Sequence, residues 1–155
     1  MSRAHPMMAV LAAALAGCSA VHLDLPDTFV PLDESLREFK AMTADGSILW
    51  IHRTGLPEGG GSLAFWVEAL RDDFESNRGY TLVEQRPAAT GAGTTGTELV
   101  YTAQVDGLAY SYSIALFVTG SASDPVLYTA RFTAETDAFD KHIDAVRAAV
   151  GRAEL

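Results

Sequence analysis

Residues 97–118 read TELVYTAQVDGLAYSYSIALFV, and this stretch decides the fold. In its second half Tyr110, Tyr112, Ile114, Leu116 and Val118 alternate with Ser111, Ser113, Ala115, Phe117 and Thr119. Alternation with a period of two belongs to a strand, because successive side chains leave opposite faces of the sheet. The larger residues suit one core, and the smaller ones suit close packing under a second layer. Asp106-Gly107 joins the two halves as a tight turn, so Thr97–Val105 and Leu108–Val118 are antiparallel neighbours.

Further strands lie outward from this hairpin. Tyr80–Arg86 precedes it and Val126–Thr133 follows it, with Gly120–Pro125 as a loop. The tract 87–96, rich in Ala, Gly and Thr, has no face to bury and predicts a mobile hairpin loop. Phe39–Thr43 and Ile48–His52 form a second hairpin around Asp45-Gly46. Val21–Leu25 alternates and predicts a first strand, stopped by Pro26-Asp27, while Pro31–Arg37 predicts a helical turn. After a flexible loop at Leu56–Gly61, Ser62 caps a helix that runs to about Arg78 and stops at Gly79. Its apolar stripe is Leu63, Trp66, Val67, Leu70 and Phe74. A second helix, Thr136–Val150, buries Phe139, Ile143, Val146 and Val150. Antiparallel strands and two amphipathic helices that need a sheet to cover predict an α+β fold in one domain, residues 22–155.

The N-terminus carries an address. Arg3 precedes the apolar run Met7–Ala16, followed by Gly17 and Cys18. A basic start and an apolar run of about ten residues read as a secretory signal, since spanning a bilayer takes roughly 20 apolar residues. Leu15-Ala16-Gly17-Cys18 resembles the bacterial lipobox. The resemblance implies removal of residues 1–17 by cleavage between Gly17 and Cys18. It also implies diacylglycerol on the Cys18 thiol, acylation of the new amine by a fatty acid such as palmitate, and a short tether over 18–21. Ser19, in place of the Asp that retains such proteins in the inner membrane, implies the periplasmic face of the outer membrane. Two or more acyl chains give durable anchorage.

Composition excludes other classes. With 20 acidic against 11 basic residues and a net charge of −9, the chain lacks the clustered Lys and Arg that nucleic acid requires. The same surface does not favour anionic headgroups, so the expected membrane attachment is the lipid alone. One cysteine excludes an internal disulfide and a Cys-rich zinc module.

The layout is similar to the PsbP-like group of domains, which includes DcrB-type bacterial lipoproteins and a eukaryotic Ran-binding relative. The resemblance rests on the extended Leu25-Pro26-Asp27 start, the Phe39–His52 hairpin and the capped helix ending at Gly79-Tyr80. It continues through the strand pair around Asp106-Gly107 and the terminal helix after Phe132-Thr133. It implies a sheet sandwiched by helices and an accessory or assembly role through protein contacts. It carries over no functional residue.

Catalytic constellations are sparse. His52 and His142 lack HxxxH or HExxH spacing, and no G-x-S-x-G elbow occurs. Gly59–Gly61 before Ser62 lacks the lysine of a phosphate loop, which leaves Ser62 as a simple cap. Glu84 and Glu98 can pair across neighbouring strands, with solvent-facing carboxylates the expectation. The expectation is therefore no catalytic residues, no metal and no cofactor. The aromatic residues are the candidate chemistry: Trp50, Tyr101, Tyr110 and Tyr112 are the expected binding surface, because an exposed Tyr or Trp marks a partner face. The leading expectation is a non-enzymatic envelope accessory that binds another envelope protein, which the 87–96 tract could reach. The alternative is a small-ligand or lipid carrier with a pocket between sheet and helix, and a hydrolase or metalloenzyme stands third.

Overall fold

The computed structural model describes Val21 and residues 23–155. The expected leader, its cleavage point at Gly17 and the lipid-bearing Cys18 lie outside the described residues. Seven strands form one antiparallel sheet: β1 Phe29–Glu34, β2 Glu38–Thr43, β3 Ile48–Gly55, β4 Thr81–Ala89, β5 Thr95–Val105, β6 Leu108–Ser121 and β7 Asp124–Glu135. Their spatial order is β1-β2-β3-β7-β6-β5-β4. Helix α1, Leu63–Asp72, continues into a π-helical turn at Asp73–Asn77 and lies on one face. Helix α2, Thr136–Arg152, lies on the other.

The alternation in β6 divides the two cores as the sequence requires. Ala115 and Phe117 join Leu49, Ile51, Ala130 and Phe132 beneath Phe139, Ile143, Val146 and Val150 of α2. Ile114 and Leu116 turn the other way and join Leu99 and Tyr101 beneath Val67 and Phe74. Each fully buried large side chain is worth about 1.5–3 kcal/mol. Coverage is unequal: α1 packs mainly on β5 and β6, with Leu127 of β7 at the margin of its core, so the β1, β2 and β3 side of this face is open.

Four expectations are corrected. Val21–Leu25 pairs with no strand; Val21 and Leu23 instead pack into the α2-side core, so the fold begins within the expected tether. Residues 31–37 contain most of strand β1 rather than a helical turn. The tract 87–96 is not a mobile loop: Pro87–Ala89 belong to β4 and Thr95-Gly96 to β5, leaving a turn at Thr90–Thr94. Thr90 is buried and the Gly91 N–H donates to the Ala153 carbonyl, which ties the turn to the end of α2. A Cβ at Gly96 would run into the Leu116 carbonyl and the Phe117 ring, so its glycine serves close strand approach rather than flexibility. The loop at 120–125 likewise shortens, because β6 continues to Ser121 and β7 begins at Asp124.

Candidate binding site

Strand register builds a site on the half-covered face. Lys40 of β2 pairs with Trp50 of β3, Trp50 with Arg131 of β7, Arg131 with Ile114 of β6, and Ile114 with Leu99 of β5. Directly paired residues share a face, so these five form one rung across the sheet. Leu99 and Ile114 are covered from the α1 side. Lys40, Trp50 and Arg131 are only half buried, because the cover ends there. Two adjoining hollows open at this edge and share Trp50 and Arg131. One, of about 340 Å³, runs between Trp66, Leu70, Leu127 and His52. The other, of about 240 Å³, reaches Phe74, Tyr80 and Tyr112.

The polar groups in this groove lack partners. Among the described residues no carboxylate lies within 4 Å of Arg131. Its guanidinium stands 5.8 Å from the centre of the Trp50 ring. Burial, then the nearby Arg78, push Arg131 below its usual pKa, and Asp73 opposes them. Arginine keeps its charge regardless. Arg78 is itself neutralised by Asp73 at 2.8 Å. The Trp50 Nε1–H and the His52 Nδ1 are buried without hydrogen-bond partners, and the nearest Glu38 carboxylate oxygen is 3.8 Å from His52 Nδ1. An unsatisfied buried donor costs about 1–3 kcal/mol, so such groups together mark a place built for something other than stability.

Two other titratable clusters serve the fold. The Asp45 carboxylate accepts hydrogen bonds from the hydroxyls of Thr43 and Ser47 and bonds His142 Nε2 at 2.9 Å. Thr43 first, then His142 and Ser47, hold Asp45 far below the usual carboxylate range. The carboxylate sits between serine and histidine, so Ser47 donates to Asp45 and not to the imidazole, and the order is wrong for a nucleophilic triad. On the α2 side Glu98 is buried rather than solvent-facing. Arg147 Nε donates to both of its carboxylate oxygens at 3.1 and 3.0 Å, Arg147 Nη2 reaches Glu84 at 2.9 Å, and Ser113 donates to Glu98. The Glu84–Glu98 pair therefore exists, bridged by Arg147, with Arg86 also 3.6 Å from Glu98.

The expected surface residues divide. Trp50 lines both hollows and Tyr112 lines one end. Tyr110 is half buried beside Tyr112, with ring centres 6.5 Å apart. Tyr101 offers no surface: it is fully buried against Phe74, and burial pushes its hydroxyl pKa up to about 12. His52 and His142 lie on opposite faces of the sheet, and the described residues hold no group of three metal-ligating side chains. Ser62 accepts from the Phe65 N–H at 3.2 Å and Gly60 from the Trp66 indole at 3.0 Å, so the glycine loop is spent on capping. Arg131 and Lys40 are the residues that sequence reasoning missed. The available signal was a charged residue in mid-strand, where Leu127, Thr129, Arg131 and Thr133 share one face.

No protein-family model matches the chain, and no curated protein matches it. Solved structures do. LpqN, a protein involved in cell envelope biogenesis of Mycobacterium tuberculosis, is 16% identical with a TM-score of 0.71, over 86% of this chain and 81% of that one. A Pseudomonas aeruginosa protein of unknown function is 18% identical with a TM-score of 0.57, over 84% and 94%. The cyanobacterial PsbP of Synechocystis is 11% identical with a TM-score of 0.54, over 94% and 98%. The fold is thus the PsbP-like α+β fold that the sequence pattern implied.

Proposed function

We propose that this chain is a lipid-anchored protein of the bacterial envelope that works without catalysis, as a binding module whose ligand lies on the open half of the sheet. One observation carries the reading: a cationic and aromatic rung, Lys40–Trp50–Arg131, left half-buried and unpartnered where α1 ends. The role of LpqN in envelope biogenesis supports the location, as do the basic start, apolar run and lipobox-like Leu15–Cys18. At both buried clusters the serine hydroxyl donates to a carboxylate and not to an imidazole, which supports the non-catalytic role.

Size favours a small ligand over a flat partner. A hollow of about 340 Å³ falls at the lower end of the range for small-molecule sites, about 300–1,000 Å³. The second reading, an envelope protein as partner, is favoured by exposed Val30 and Met42 beside the groove. Calorimetric titration with decanol, an uncharged amphiphile, tests the first. Binding that disappears in Trp50→Ala and Leu70→Asp supports a carrier, whereas absence of binding in the parent protein returns the face to a protein partner.

A further inference from the structure

We propose that the groove under the edge of α1 selects an anionic single-chain amphiphile, with its headgroup on Arg131 and its tail over the apolar floor toward Trp66 and Leu70. The proposal rests on the small-ligand reading above and adds the charge of the ligand.

The argument is electrostatic complementarity. The chain carries a net charge of −9, and among its described arginines Arg71, Arg78, Arg86, Arg147 and Arg152 pair with carboxylates, while Arg37, Arg53 and Arg131 do not; Arg37 is exposed and Arg53 lies on the opposite face of the sheet. Arg131 is more deeply placed than a surface cation, yet no carboxylate of the described residues approaches it within 4 Å. Lys40, two strands away on the same rung, is also without a carboxylate at that distance. On this face of the sheet, in a chain with 20 acidic residues, Arg131 and Lys40 stand without a carboxylate among the described residues. A desolvated cation without a counter-ion is unfavourable unless an anion arrives to occupy it. A guanidinium presents paired N–H donors that match a carboxylate or phosphate in two-pronged geometry. The buried Trp50 Nε1–H stands beside it without an acceptor. Trp66, Ala69, Leu70, Leu116 and Leu127 supply an apolar floor that suits a hydrocarbon, with His52, Thr54 and Thr129 as the polar part of the remaining lining.

The occupant is therefore neither a bare anion nor a neutral lipid. Three probes separate these cases on the full chain carrying Cys18→Ser: decanoate, decanol and acetate. Decanoate is expected to bind more tightly than decanol by about tenfold or more, as charge-assisted hydrogen bonds predict, with acetate undetectable. Arg131→Met is expected to bring the ratio of decanoate to decanol affinity down to about one. Because this substitution removes an unpaired buried charge, the variant should fold; Lys40→Met provides a smaller effect in the same direction. Equal binding of decanoate and decanol by the parent, or an unchanged preference in Arg131→Met, overturns the anionic assignment and leaves the carrier reading standing. Acetate binding as tightly as decanoate overturns the amphiphile. If neither decyl compound binds, both readings fall together. A photocrosslinking residue at Met42 that labels a polypeptide rather than lipid in isolated envelopes assigns the face to a partner protein and also overturns the proposal.

Discussion

Single residues in this protein do their work by closing long loops. Asp45 sits in the β2–β3 turn yet holds His142 of α2 at 2.9 Å, across 97 residues of chain. Its carboxyl is held far below the range it has when unfolded, so the charged form belongs to the fold. The stabilisation is then complete above the unfolded carboxylate pKa of about 4 and is lost progressively as pH falls below it. Asp45→Asn should lower the urea midpoint at pH 6 and flatten its decline toward pH 3. Glu98 makes a sharper case, because it is 4% exposed and held chiefly by Arg147. Arg147→Ala should destabilise by roughly 3–5 kcal/mol by stranding a buried charge. Adding Glu98→Gln should recover much of that loss, which a double-mutant cycle by urea unfolding measures. Sequence made Asp45-Gly46 legible as a turn and Glu84–Glu98 as a cross-strand pair. The third members, His142 and Arg147, come from a helix whose docking no local pattern encodes.

At the scale of elements, the readable parts were those with a buried face. β5, β6 and β7 lie centrally or carry full alternation, and α2 has a continuous apolar stripe, so each announced itself. The misread tracts are β1 and the end of β4, which share a cause. Both are edge strands, both contain a proline, Pro31 or Pro87, and both have mostly exposed side chains. Proline cannot donate to a ladder, so it reads as a loop residue in sequence but is tolerated at an edge. It also blunts that edge against unwanted pairing. Helix α1 is lightly held: within Leu63–Asp72 only Val67 is buried, and its packing is mainly on β5 and β6. Its amides should exchange with solvent faster than those of β6 and β7, as hydrogen-exchange mass spectrometry can show. Ser62→Ala should cost about 1 kcal/mol by removing the N-cap and should raise that exchange further.

Over the whole molecule, two features are of opposite character: an acidic chain, for which we propose a lipid anchor, and an open cationic groove. On the proposed lipidation, radiolabelled palmitate should be incorporated into the parent protein and not into Cys18→Ala. The fold was legible because alternation, tight turns and helix stripes all demanded the same sandwich. The groove was not, because it arises from incomplete cover: α1 reaches Leu127 of β7 but leaves Trp50 and Arg131 only half buried, and that is a fact of packing. Trp50 and Tyr112 were nevertheless named, as aromatic residues on strands whose two faces could not both be filled. The most direct test is a nuclear magnetic resonance titration of the full chain carrying Cys18→Ser with decanoate. The indole resonance of Trp50 and the Nε resonance of Arg131 should shift together and saturate, with Glu98 and Arg147 on the α2 face unmoved. Saturable shifts confined to Arg147 and the cavity of about 190 Å³ beneath α2, with Trp50 and Arg131 silent, would contradict the assignment of the site.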